Sequence, residues 1–340
     1  MKSRMKFAGF VTLLIFIVSC SDKAKTDMKE ISLDFKPWVV DGLTIGNAYG
    51  MLLADSDLLI MDPMADSLFH WVNLNNLTSK TVGRIGQGPG EFLHFGNFYY
   101  MNGKGGFYDN RMRSSNEVLF SINGIRLVKK ACHKSKHFRL VPTAFNTFIG
   151  TGPYENGLFS ISDSTGKIIK IVGEYPYRDE DERKVPELAR AMAYQGDIAI
   201  SPKGDYLVHA IFMSPIISFY KLLPTDVELL KSQVDCYPTY RPELGNDSYA
   251  SAMSRSNILG FIDVAVTDKC VYALLSGRST EEAGLSAFMG NEIRVYDWNG
   301  NLLNKYICNT DLKALCVSSD DKVVYAVGLA DDYELLKAEL

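Results

Sequence analysis

The side chains that could do chemistry are few and scattered. Of five histidines, His133 and His137 stand four apart, the spacing of a zinc-binding helix. They lack the glutamate of a His-Glu-x-x-His pattern, and Lys134, Lys136 and Arg139 beside them would repel a cation, so no zinc centre is expected there. His209 occupies a position where two parallel segments carry Ala273 and Ala326, which singles it out as a candidate binding residue. The stretch Gly86-Gln87-Gly88-Pro89-Gly90-Glu91-Phe92 invites comparison with phosphate loops. It fits neither kind: a dinucleotide fingerprint needs glycine where Glu91 stands, and a P-loop ends in Gly-Lys-Ser/Thr before a helix. There is no Gly-x-Ser-x-Gly elbow, Ser162-Asp163-Ser164-Thr165-Gly166 reads as a turn, and Asp331-Asp332 reads as solvated rather than as a glycosidase pair. These residues point to binding rather than catalysis and imply no cofactor. A calcium ion held by distant loops stays compatible with them.

Elements must position what chemistry there is. Gly86, Gly88 and Gly90 alternate around Pro89, so the run from Gly83 to Phe92 is expected to be neither helix nor regular strand. Leu68 to Leu74 before it and Phe95 to Met101 after it read as strands. The run is then a shaped connector that seats Phe92 between two β units, with backbone angles at Gly88 that a β-branched residue would resist. Arg84 and Glu91 would flank the mouth it shapes and are taken as candidate binding residues.

The N-terminus carries Lys2, Arg4 and Lys6, then an apolar run from Phe7 to Val18, the signature of a signal peptide. It ends in Ile17-Val18-Ser19-Cys20, which resembles a bacterial lipobox and implies lipidation at Cys20. The expected organisation is residues 1–19 as signal peptide, 20–30 as tether and 31–340 as one domain. Loss of the three basic residues moves the formal net charge from −4 to −7, which argues against a nucleic-acid partner. Cys132, Cys236, Cys270, Cys308 and Cys316 are odd in number and lack CxxC spacing, so they read as small strand hydrophobes rather than a disulfide framework.

Strand-length runs between turn signals fill the rest, and one unit repeats. Ile198-Ala199-Ile200, Val264-Ala265-Val266 and Leu315-Cys316-Val317 each enter a short polar turn and leave on a second apolar strand. Glu292 to Ile307 and Glu117 to Val128 add hairpins around Asn299-Gly300 and Asn123-Gly124. Units of this size predict an all-β fold, a six-bladed β-propeller with four-stranded blades beginning near Leu43, Phe95, Leu140, Asp197, Gly260 and Asp311. The last blade has room for three strands, so Ile31 to Phe35 is expected to complete it and close the ring. Tyr175 to Gln195, with a short helix, and Pro238 to Asn257, a long loop carrying Arg241 and Arg255, interrupt the rhythm as candidate binding segments. Arg126 to Arg139 concentrates six Lys or Arg in an acidic chain, reading as a solvated face that could steer an anionic partner.

Gly86 to Phe92, followed by Gly106-Phe107-Tyr108-Asp109-Asn110-Arg111, resembles the inter-blade signature of NHL-type propellers. Together with the lipobox, the chain is similar to the TolB-like six-bladed propeller lipoproteins of Bacteroidetes. The resemblance implies a monomeric propeller, lipid-anchored at the outer membrane and facing periplasm or exterior. Arg111 within this motif is a further candidate binding residue, and with catalytic signatures missing the expected function is a non-catalytic module meeting an envelope protein or glycan. The alternative within such propellers is a metal-dependent lactonase or lyase.

Overall fold

The computed structural model describes residues 30–340 apart from 64–65, 122–123, 245–248 and 330–331. Cys20, the signal peptide, Asn123, Asn246, Ser248 and Asp331 lie outside the described residues, as does all of the tether except Glu30. No helix among those described is long and apolar enough to cross a membrane.

Four antiparallel four-stranded sheets follow one another over residues 50–84, 95–132, 139–172 and 196–234, and they form blades 1 to 4. The fifth and sixth blades share one larger sheet because Leu302–Val317 is a single strand. Its first half pairs with Gly290–Asp297 as the outer strand of blade 5, and its second half pairs with Val323–Leu329 as the inner strand of blade 6. The inner strands, Gly50–Ala54, Phe95–Met101, Arg139–Pro142, Gly196–Ile200, Phe261–Val266 and the end of Leu302–Val317, touch in a closed ring.

The sequence repeat has a local cause. Ser201 Oγ accepts the backbone N–H groups of Asp205 and Tyr206 at 3.1 and 3.0 Å. Thr267 and Ser318 repeat the bond with Cys270 and Val323, each at 3.0 Å. A hydroxyl leaving the inner strand satisfies the turn's donors and aims the next strand back along it. Apolar faces then pack between blades. Phe69, Phe92 and Phe107 meet edge to face between blades 1 and 2, with centroids 4.8 and 5.1 Å apart, and Phe92 is buried. Seating that ring is worth about 3–5 kcal/mol.

An N-terminal strand does close the ring, but the closing residues differ from the expected ones. Lys36–Pro37 pairs antiparallel with Tyr333–Glu339 and completes blade 6. Glu30–Leu33 instead runs parallel to Lys305–Cys308 on the outer edge of blade 5. Farther on, Asp41 bridges in parallel to Thr78 on the outer strand of blade 1. The segment is therefore a belt across three blade rims. Alternation of buried Leu33 and Phe35 with exposed neighbours is what the sequence displayed, and it could not say which edge they cover.

Three smaller expectations are corrected. Gly83 and Arg84 end the strand Thr78–Arg84 rather than open the connector, and blade 1 begins at Gly50 rather than Leu43. Pro238 to Asn257 is not a loop: Tyr240–Leu244 and Tyr249–Met253 pair as a hairpin packed on the helix Glu187–Ala193. Its strands escape a sequence reading because Pro242 interrupts one of them.

Candidate functional site

Antiparallel blades sort their connections by face. Turns from first to second and from third to fourth strand fall on one face, where each holds two to five residues. Second-to-third loops and blade-to-blade connectors fall on the other, the connector face. It receives the glycine-rich connector, both insertions, and the segment Thr280–Phe288 of blade 5. Irregular structure is thus concentrated on one side, where loops on a rigid scaffold usually carry function.

Five of the six expected binding residues share this face. Arg84 enters it at the end of its strand, Glu91 sits in the connector, Arg111 follows Asp109 in a blade 2 loop, and Arg241 and Arg255 belong to the second insertion. They do not converge. Arg84 and Arg111 belong to blades 1 and 2, and Arg241 and Arg255 rise between blades 4 and 5. Arg241 is occupied by Glu243 at 3.0 Å, whereas Arg255 is exposed and its carbonyl accepts from Glu281 N at 3.0 Å, tying the hairpin to the blade 5 helix.

Glu91 is largely structural. Its Oε2 accepts from Gly88 N at 2.8 Å and its Oε1 lies 3.4 Å from Arg84 Nε. A Cβ on Gly86 would stand 2.0 Å from that carboxylate and one on Gly88 3.0 Å from it. A side chain at either glycine would push the carboxylate of Glu91 from its seat, and neither glycine has a left-handed backbone angle. The left-handed positions are Gly83 and Gly90, at φ +75° and +78°, so the strain expected at Gly88 is located at its neighbours.

His209 is buried between blades 3 and 4, edge-on to Phe159 at 5.8 Å, with neither ring nitrogen hydrogen-bonded. Burial, then the charge of Arg139, pulls its pKa down to about 4 and keeps it neutral. It belongs to the core and not to a surface site. His133 and His137 are also buried, 5.7 Å apart between ring centroids, rather than part of a solvated basic face. His133 Nε2 meets Ser115 Oγ at 2.7 Å and His137 Nδ1 meets the Tyr154 hydroxyl. Burial lowers their pKa values to about 4 and about 3. Among the described residues, no three His, Cys, Asp or Glu side chains gather as metal ligands would.

At the axis lies a cluster that the sequence reading missed. Arg139 on the inner strand of blade 3 pairs with Asp197 on that of blade 4. Asp263 on blade 5 feels both charges: burial first, then Asp197, pushes its pKa up to about 7, while Arg139 opposes them. Asp263 Oδ1 accepts from Val264 N at 2.9 Å and Oδ2 from Leu315 N at 2.8 Å. The signal was present, because Asp197-Ile198-Ala199-Ile200-Ser201 aligns with Asp263-Val264-Ala265-Val266-Thr267, one residue before the repeat as read. The first insertion is similarly built from the inside. Glu182, buried, accepts from the Tyr194 hydroxyl at 2.9 Å, and Arg190, buried, lies 5.9 Å from the Tyr175 ring.

Away from the axis, a groove of about 500 Å³ lies at the rim between Gln87–Phe92 and the outer strand of blade 2, with Arg126 and Lys129 on its wall.

Comparison with known proteins bears on the fold. A candidate exported protein from Bacteroides fragilis superposes with a TM-score of 0.53 at 14% identity, covering 91% of this chain and 94% of that one. Regucalcin from Agrobacterium tumefaciens, a calcium-binding protein, reaches a TM-score of 0.49 at 12% identity over 92% and 96% of the two chains. No curated protein matches the chain in sequence. The family model of the TolB-like 6-blade propellers matches residues 31–320, and with its ring of six blades the chain belongs to that family.

Proposed function

We propose that this protein is a non-catalytic interaction module of the bacterial envelope, tethered to the outer membrane through Cys20, whose connector face meets an envelope protein or glycan. One observation carries the reading: the described parts of both insertions, the blade 5 helix and the exposed Arg255 share one face, while among the described residues the other bears only short turns. Leu285, 84% exposed on that face, favours a protein partner over a glycan, since an apolar side chain of that size is suited to a partner's apolar pocket. The family and the lipobox support envelope residence. Dispersed candidate residues, with two carboxylates and one arginine at the axis occupied by each other and by backbone, speak for recognition ahead of a lactonase or lyase.

The test is photo-crosslinking in native membranes with benzophenone residues at Leu285 and Arg255 on one face and at Lys203 and Asp268 on the other. Adducts to one species from the first pair alone support the reading, and adducts from the second pair, or from neither, overturn it. In the same cells Cys20→Ala is expected to release the protein from the membrane fraction; continued sedimentation with acyl chains attached would refute the tether.

A further inference from the structure

The belt formed by the N-terminal segment shows how this propeller treats its blade edges. An outer strand leaves alternate backbone N–H and C=O groups unpaired, and these are a template for another strand. Blade 5 has its edge covered in parallel by Glu30–Leu33, blade 6 is completed by Lys36–Pro37, and blade 1 is bridged by Asp41, whose N–H donates to Leu77 O at 2.8 Å and whose carbonyl accepts from Ser79 N at 3.1 Å. The next rim in the ring is that of blade 2. Its outer strand Gly124–Cys132 pairs on one side only, with Ser114–Ser121. Along it the four consecutive residues Arg126, Leu127, Val128 and Lys129 line the groove of about 500 Å³ together with Gln87–Phe92, and Met112 and Ser114 at the start of the third strand complete its lining. Four consecutive residues of a strand can line one groove together when it runs along the strand's edge, because successive side chains point to opposite faces.

We infer that this groove receives an extended acidic peptide segment of a partner protein, added as a fifth strand to blade 2. The backbone of Arg126–Lys129 supplies the pairing. Charge selects the segment: Arg126 and Lys129 are exposed and make no ion pair with any described residue, whereas neighbouring Lys130 is held by Glu117 at 2.7 Å. Glu91, the acid in the groove's lining, is turned to Gly88 N and Arg84, so it does not neutralise the pair. Leu127 packs towards blade 1, its Cδ1 3.0 Å from where a Cβ of Gly83 would stand, and this contact fixes the strand as one wall. Strand addition, with backbone pairing for affinity and alternate side chains for selectivity, is an established mode of peptide recognition. The groove belongs to blades 1 and 2 and the insertions rise from blades 3 to 5, so this surface and the connector-face reading can fail separately.

The test selects binders to the full-length protein from a displayed random dodecapeptide library, then measures amide hydrogen exchange with each enriched peptide synthesised. The expected peptides carry Asp or Glu and slow exchange at residues 126–129 by at least about tenfold. They weaken about tenfold or more against Arg126→Glu/Lys129→Glu, and weaken likewise when alternate peptide amides are N-methylated, a change that leaves the protein untouched. Three outcomes overturn the inference: no enriched peptide protects these amides, N-methylated peptides protect them equally, or an acidic oligosaccharide such as polygalacturonate protects them where no peptide does.

Discussion

The carboxylate of Asp263 accepts the backbone N–H of Leu315 at 2.8 Å and so laces the inner strand of blade 5 to that of blade 6. Asn97 does the same between blades 2 and 3, its Oδ1 accepting from Leu140 N at 2.9 Å and its Nδ2 donating to Leu140 O at 3.2 Å. Both follow a register shift after a phenylalanine, Phe95 in one blade and Phe261 in the other. An amide makes this lacing without charge, whereas the carboxylate makes it beside Asp197.

Asp263→Asn is therefore expected to stabilise the protein at neutral pH. The folded-state carboxyl titrates near 7 against an ordinary 3.8, so the unfolded chain gives up its proton first and this group's contribution falls as pH rises from about 4 to about 7. Urea midpoints at pH 8 should rise for the variant by the equivalent of about 1–3 kcal/mol, with little difference at pH 4. A variant no more stable than wild type at pH 8 would mean that the charge is well tolerated.

The buried histidines act with the opposite sign. His133, His137 and His209 have folded pKa values below the ordinary 6.5, so the unfolded chain binds more protons between about 6.5 and 4. Their contribution is present above pH 6.5 and is lost on acidification through that window. His209→Leu should flatten the acid limb of the stability profile by close to one proton; an unchanged slope would place His209 in contact with solvent.

In the connector, Glu91→Ala is expected to cost about 1–2 kcal/mol, because it leaves the Gly88 N–H without its acceptor. Gly90→Ala should cost a similar amount through its left-handed φ. Arg84→Ala, at an exposed guanidinium, should stay within about 0.5 kcal/mol. Chemical denaturation of the three variants decides it, and a cost at Arg84 matching that at Glu91 would contradict the assignment of Glu91 as the loop's internal acceptor.

For the belt, Leu33→Ala and Phe35→Ala should each lose about 2–4 kcal/mol, while Ile31→Ala, 38% exposed, should lose less than about 1. Equal thermal midpoints across the three would mean that the N-terminal segment is not docked on the rim of blade 5.

The sequence by itself determined most of the blade strands, their turns and the count of units, because these depend on near neighbours. A hydroxyl at Ser201, Thr267 or Ser318 caps a turn within five residues of itself, and Asn-Gly pairs close hairpins locally. It also marked Glu91, Arg111, Arg241 and Arg255 as polar residues outside the blade strands, and topology sends the segments that carry them to one face. Only the tertiary structure decided what those residues meet: Glu91 turns into its own loop, and His209 is enclosed between two blades. The lacing by Asp263, the Arg139–Asp197 pair and the belt join residues tens to hundreds of positions apart. Their partners are chosen by how six twisted sheets close around an axis, and pairings between such distant positions leave no periodicity in a single chain to read.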